Sequence, residues 1–462
     1  MSPLSPHGAT AEAVLPSMWP ALGLGLAAFL TNFDVTAVVV ALPAIARELQ
    51  LDIAGYAWVM DAFSLAFTAS LLVAGALADR YGRRAAMLWG NLIFAVASIA
   101  CASAWNGMSL NLARAFQGIG AAFVITGGIA LIASAYPQAK ARTRAFAWLG
   151  VMSGTAMALG PALGGIVSSW LGWRWIFLAN VPACVLVAWG IPHLVGEAKE
   201  PSPRPLDFVG MVILTAALFV LIEALLYGRT ARMTLVVGCG LALVLFFVFA
   251  LQQRRRAQPI FDPVVFLRPA MVGIAVLLAA VSIGYWAMLV YLPPFLSASL
   301  GVSADTGGIV MLAATLPMLF VPPLGGRIVT ALGWRWYFTL ALAIMTIGSA
   351  GFVAALTANG TPNQWPVILA MIVVGLGAAL AHPQLSGVVV ALVPSEQAGM
   401  ASAVTIVMRQ AGFAVGIAAF GALLSSSDRA VAYFWPFVGT GLACALGTLA
   451  AVILLPPRLP ER

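Results

Sequence analysis

Charge is what this sequence has least of. Asp, Glu, Lys and Arg make up 8% of its 462 residues, while hydrophobic residues reach 62%; an ordinary soluble domain carries roughly 25% charged residues. A water-soluble fold of this length could not hide that much apolar surface, and a mean hydropathy of +1.01 agrees. The soluble classes are excluded, and the chain reads as a polytopic membrane protein. Cysteine is scarce too. Cys101, Cys184, Cys239 and Cys444 fall inside apolar stretches without paired spacing, so they read as packing residues and not as disulfides or metal ligands. There is no Gly-rich phosphate loop with its Lys, no hydrophilic domain and no metal-ligand cluster, which leaves nucleotide hydrolysis and enzymatic catalysis without a footing. No cofactor is expected. Lys and Arg are missing from the first 18 residues, and the first apolar run is too long for a signal peptide's core. The first helix is therefore expected to stay in the mature protein, although "ALPAIA" resembles a cleavage site.

What the sequence does have is length in apolar runs. Fourteen stretches of helix length follow one another, from 19–45 to 431–455, each near the ~20 residues that span a bilayer core. Every loop between them is short. The longest, 196–207 and 252–269, bracket the seventh and eighth stretches. The spacing predicts an all-α membrane protein of two six-helix bundles, 1–196 and 270–462, with two extra helices inserted at 197–269. A repeat supports the division. "GALADRYGRR" begins at Gly75 and "GRIVTALGWR" at Gly326, each with a second glycine seven residues on, Gly82 and Gly333. "LGWRW" also occurs twice, at Leu171 and Leu332, but an odd number of helices separates the copies. They are expected to face opposite sides of the membrane, as interfacial Trp and Arg anchors.

The net charge of +8 could suggest nucleic acid, but its distribution does not. Most Lys and Arg residues, among them Arg80, Arg83, Arg84, Arg254, Arg255 and Arg256, fall in loops on one side. Arg47, Arg174, Arg229, Arg232 and Arg429 fall on the other. That asymmetry predicts cytoplasmic N- and C-termini in a multi-pass inner-membrane protein, with the bilayer and not a nucleic acid as its surroundings.

Six strings carry a resemblance: "DVTAVVVALP" from Asp34, "GALADRYGRR" from Gly75, "RAFQGIGAA" from Arg114, "ALGPALGG" from Ala158, "WRWIFLANVP" from Trp173 and "RQAGFAVG" from Arg409. Together they are similar to the signature segments of the fourteen-helix drug:proton antiporter branch of the major facilitator superfamily, and they span the whole chain. Val39 stands where that branch usually has Asn. The resemblance implies the major facilitator fold and a secondary transporter that exports lipophilic, cationic compounds by alternating access. The proton gradient would supply the energy, and a small molecule and protons would be the partners. A monomer fits, and an accessory export component is left open. Two rival readings are a dedicated exporter of one endogenous metabolite and a membrane sensor that binds without transport.

Each motif also has a physical reading. Gly75 would let helices approach closely, while Asp79, Arg80, Gly82, Arg83 and Arg84 form an inner-loop turn whose charges could pair across the two halves; the resemblance implies a gating role. Gly154, Gly160, Gly164 and Gly165 form a small-residue helix face interrupted by Pro161, a close-packed and kinkable element. The resemblance links that element to antiport.

Arg114 lies within about 13 Å of the outer helix end and Asp34 roughly 22 Å from the inner start of its own helix. Similar depth makes them candidate partners, with Asp34 a proton-and-substrate site in a water-accessible cavity, or else half of a structural pair. Asp61, about 27 Å along its helix from Asp79, could assist Asp34 or snorkel to the interface. Glu223, in the inserted pair, fits snorkelling beside Arg229 or cation binding. His382, before Pro383, could titrate or simply sit at a kink. Arg409 and its neighbour Gln410 are candidates for the second half of a substrate cavity.

Overall fold

The computed structural model describes residues 18–136, 138–198, 207–227, 232–256, 268–357, 364–392, 398–424 and 431–456, and every regular element among them is helical. The first six passes are α1 (Trp19–Glu48), α2 (Ile53–Tyr81), α3 (Arg83–Ala102), α4 (Gly107–Ala135), α5 (Ala139–Trp170) and α6 (Arg174–Leu194, kinked at Ala179). The inserted pair is α7 (Phe208–Tyr227) and α8 (Arg232–Arg254). The last six are α9 (Pro269–Leu300), α10 (304–332), α11 (334–357), α12 (Gln364–Leu392), α13 (Ala398–Leu423) and α14 (Phe434–Leu454).

Among the described residues, twelve helices are long and apolar enough to cross a membrane, and α2, bent by 45° after Leu71, makes a thirteenth. The fourteenth pass is hidden by two local effects. Breaks near Met311, Leu316 and Val321 cut α10 into short pieces, where Pro317, Pro322 and Pro323 cannot donate backbone hydrogen bonds. Its last piece then runs into α11 as one 36-residue helix, Pro322–Thr357, interrupted only at Gly333 (φ 74°, ψ 164°). Gly82 holds φ 125° at the end of α2. The two glycines paired by the sequence repeat therefore make left-handed turns at the same place in each half, a conformation that costs glycine least.

The halves also correspond in packing. α1 lies on α5 and α9 on α13; α3 lies on α4 and α11 on α12. Between halves, α2 packs on α13 and α5 on α10, contacts that exchange under the same repeat. The hydrogen bonds that join the halves lie toward the membrane face opposite the point where α1 begins. Tyr56 Oη donates to the Val290 carbonyl at 2.8 Å and Thr315 Oγ1 to the Ala158 carbonyl at 2.8 Å. The Tyr56 and Tyr291 rings lie 5.8 Å apart.

In the inserted pair, α7 packs against both α2 and α13, covering their seam, while α8 rests mainly on α7. A buried aspartate staples the pair at one end. Asp207 accepts from the Gly210 amide (3.0 Å), Gln252 (2.8 Å), Gln253 (2.6 Å) and Arg256 (2.9 Å). Burial works to raise the Asp207 carboxyl, but these donors outweigh it and hold the group below the usual carboxylate range.

Candidate functional site

Asp34 sits at the centre of a polar network built from four helices of the first half. Arg114 and Gln117 are three residues apart on α4 and so share a face. Arg114 Nη1 donates to Asp34 Oδ2 at 2.5 Å and to Gln117 Oε1 at 2.7 Å. Gln117 Nε2 donates to Asp34 Oδ1 at 2.8 Å and to Ser98 Oγ on α3 at 3.0 Å. Asn180, at the α6 kink, completes the ring by donating to Asp34 Oδ1 at 2.8 Å. Arg114 Nε reaches the Val59 carbonyl at 3.1 Å, and the Phe63 ring lies 4.5 Å from the guanidinium carbon. Three donors satisfy the Asp34 carboxyl oxygens, two of them uncharged and one a guanidinium.

This answers where the charge goes, and it corrects one expectation. Asp34 and Arg114 are both 0% exposed, so in this conformation Asp34 is sealed inside the first bundle and does not face a water-accessible cavity. Gln117 and Asn180 lie inside motifs read for other residues. The i, i+3 spacing from Arg114 was the signal for Gln117; nothing local marks Asn180, which reaches Asp34 only through the fold.

Asp61 stands in contrast. It is also 0% exposed, which removes the snorkelling reading, and neither carboxylate oxygen has a hydrogen-bond partner. A charge on a buried carboxyl with no partner is among the costliest groups a fold can hold. The helix of Asp61, α2, is the one that carries the contacts to α13 across the halves.

In the inner-loop motif, the ion pairs among the described residues lie within the first half. Arg83 Nη2 lies 3.0 Å from Asp79 Oδ1, an i, i+4 pair within the motif. Arg84 engages Glu197, just past α6 in the same half, at 4.0 Å. Glu197 also accepts from the Arg84 and Ala85 amides at 2.9 and 3.1 Å, capping the start of α3 where the helix dipole favours an anion. A Cβ on Gly82 would lie 2.7 Å from that carboxylate. Arg80 is exposed, beside the Tyr81 ring. Gly75 serves no close approach: a Cβ built there meets nothing within 4 Å.

The glycines of α5 split between two neighbours. Gly160 and Gly164 face α1, where added Cβ atoms would lie 2.0 Å from Thr36 Oγ1 and 2.7 Å from Ala37 Cα. Gly154 and Gly165 face α10 of the other half, and Gly308 approaches the Pro161 carbonyl and Gly165 Cα closely enough that a Cβ would lie 2.6 and 3.0 Å from them. The Ala156 and Ala158 carbonyls before Pro161 accept from Thr36 and Thr315, so the proline region is tied to both halves. Since a threonine side chain can turn aside and backbone cannot, Gly164→Ala is expected to lower the melting temperature of the detergent-purified protein more than Gly160→Ala does. Overpacking of this kind costs about 1–3 kcal/mol. Equal melting temperatures for the two variants would contradict the assignment.

In the second half the structure brings His382 and Arg409 together with Trp286, which sits in a π-helical segment of α9, Ser282–Ala287. All three side chains are half-buried, as is Gln410. Glu223 is half-buried on α7, and among the described residues no hydrogen bond or ion pair joins it to either His382 or Arg409; Arg229 lies outside the described residues. No group of three or more His, Cys, Asp or Glu among the described residues could hold a metal ion.

Comparison with known proteins matches this architecture. A family model described as Major Facilitator Superfamily matches residues 24–286 and again 274–462. Multidrug resistance protein Stp of Mycobacterium tuberculosis is 30% identical over 416 residues, covering 88% of this chain and 75% of its own. Methylenomycin A resistance protein of Streptomyces coelicolor is 29% identical over 450 residues, covering 95% and 93%. Among solved structures, a D-xylose-proton symporter superposes with a TM-score of 0.69 at 16% identity, covering 94% of this chain and 97% of that one. A peptide transporter does so at 0.70 and 15%, covering 94% and 93%. With the family model repeating over a chain whose halves repeat in turn and packing, this multi-pass membrane protein belongs to the major facilitator superfamily.

Proposed function

We propose that the protein is a drug efflux transporter that exchanges protons for lipophilic compounds, with its termini in the cytoplasm and the bundles 1–196 and 270–462 rocking about the site between them. In this reading the face closed by Tyr56, Val290, Ala158 and Thr315 is the outer one, so the structure is the inward-facing state. The observation that carries the proton coupling is Asp61: a buried, unpartnered carboxyl on α2, a helix that packs across the halves. Rocking the bundles changes what surrounds such a group, and hence whether it holds or releases its proton. Asp34 and Arg114 neutralise each other and hold four helices in register, a charge pair that must be disturbed for the first bundle to change shape. The inner-loop motif supports gating by ordering the α2–α3 turn through Asp79, Arg83 and Glu197. Energy comes from the proton gradient, and export is supported by relatives named for multidrug resistance.

Purified protein in liposomes, given an imposed pH gradient and a fluorescent lipophilic cation, is expected to move the cation against its gradient as protons flow the other way. A cation that stays at equilibrium with and without the gradient would count against drug:proton exchange. A second reading, export of one dedicated compound, is favoured by relatives named for single antibiotics, including the tetracenomycin C resistance and export protein of Streptomyces glaucescens, 29% identical over 463 residues. It predicts transport of one compound out of a broad panel.

A further inference from the structure

The charge that remains accessible inside the second bundle is positive. α9, α12 and α13 contain no Asp or Glu, yet Arg409 lies about 16 Å into α13 at 1.5 Å per residue, half-buried, with His382 as its hydrogen-bonding neighbour among the described residues. It does not turn out to lipid. Arg409, Gly412 and Gly416 share one face of α13, and that face lies on α9: a Cβ on Gly412 would meet Ser282 at 3.1 Å, and one on Gly416 would meet Ala287 at 2.8 Å. An intramembrane guanidinium with no carboxylate partner among the described residues is costly and marks a binding path by default.

The donor and acceptor count around His382 sharpens the point. Trp286 Nε1 lies 3.3 Å from His382 Nδ1, and Arg409 Nη1 lies 3.4 Å from His382 Nε2. Indole and guanidinium nitrogens are donors only, and a neutral imidazole has one acceptor nitrogen. Whichever tautomer His382 adopts, one of these two contacts sets donor against donor; a protonated ring makes both so. The protein brings donors together here and supplies too few acceptors. The Trp286 ring, 5.3 Å from the His382 ring at 66°, adds a flat apolar wall.

We propose that Arg409, His382 and Trp286 form a subsite for the anionic head of a lipophilic aromatic substrate, a carboxylate, sulfonate or enolate oxygen accepting from the guanidinium while the aromatic body packs on Trp286. A flat oxyanion suits the guanidinium fork. The subsite rests on the efflux reading for its purpose but not for its chemistry. It extends the substrate range from cations to anions.

The test uses permanently charged probes, naphthalene-2-sulfonate and a naphthylmethyl trimethylammonium, with neutral naphthalene-2-sulfonamide as the shape control. Binding to the detergent-purified full chain is measured by equilibrium dialysis, and export is measured in liposomes under a pH gradient. The wild type is expected to bind the sulfonate at least about tenfold more tightly than the sulfonamide, the worth of a charge-assisted hydrogen bond. Arg409→Gln should erase that difference and Arg409→Lys keep part of it. The comparison of sulfonate with sulfonamide needs only the wild type, so it stands even if a variant misfolds. Equal binding of the two by the wild type overturns the subsite, and so does a sulfonate preference that survives Arg409→Gln. If the ammonium is exported while the sulfonate shows no preference, the subsite fails and the efflux reading stands. If the sulfonate binds through Arg409 but neither probe moves, the subsite stands and the efflux reading fails.

Discussion

Asp61→Asn is expected to reduce proton-driven transport to the level of protein-free liposomes while leaving the protein about as stable as the wild type. The two halves of that expectation have separate causes. Asn is close to Asp in shape and cannot titrate, so it can neither take up nor release the coupling proton. Asp61 has no hydrogen bond or ion pair to lose, and a buried neutral acid and a buried amide without partners carry desolvation costs of similar size. The melting temperature should therefore stay near the wild-type value. Substrate exchange down its own gradient, which needs no net proton movement, should survive, and that separates loss of coupling from loss of binding. Gradient-driven transport that persists in Asp61→Asn would move the coupling proton elsewhere, and a large fall in melting temperature would mean that Asp61 has a structural partner.

Asp34→Asn should behave in the opposite way and destabilise the fold. It would leave Arg114, 0% exposed, with its charge uncompensated and with donors crowded around a neutral amide. Breaking a buried pair by removing one partner costs about 3–5 kcal/mol. The double variant Asp34→Asn with Arg114→Gln removes both charges and should recover much of the loss, because most of the penalty is the orphaned cation. Thermal unfolding of the two variants beside the wild type gives the answer. If the single variant melts like the wild type, the pair is not a structural keystone. The consequence for function is direct: lost transport in Asp34→Asn alone cannot be read as loss of a proton carrier unless the double variant, refolded to near-native stability, is inactive too.

The repeat around Gly82 and Gly333 was legible because a left-handed turn strongly favours glycine, and both copies make that turn. "LGWRW" misleads as a repeat for a related reason. Gly172 and Gly333 both hold positive φ, so the string marks a turn between consecutive helices on whichever side it falls. The glycines of α5 announced close packing, but not that Gly160 and Gly164 would meet α1 while Gly154 and Gly165 would meet the other half. Gly75 looked like the same kind of residue and has no close neighbour. Helical periodicity says which residues share a face and leaves open what that face will meet.

The same limit governs the charged residues. The sequence by itself determined that this is an all-helical, multi-pass membrane protein and that Asp34, Asp61, Arg114 and Arg409 lie within its apolar runs, because hydropathy, length and the cost of intramembrane charge are local properties of the chain. Only the tertiary structure decided that Asp34 is saturated by Arg114, Gln117 and Asn180, that Asp61 on the next helix has no partner, and that Trp286, His382 and Arg409 converge from three helices. Those outcomes depend on which helix faces come together across 80 or more residues of chain for Asp34 and its three donors and for Trp286 and His382, and across 27 for His382 and Arg409. In lipid, that choice is made by close packing of small residues and by satisfaction of polar groups, which are properties of pairs of helices and of no single one.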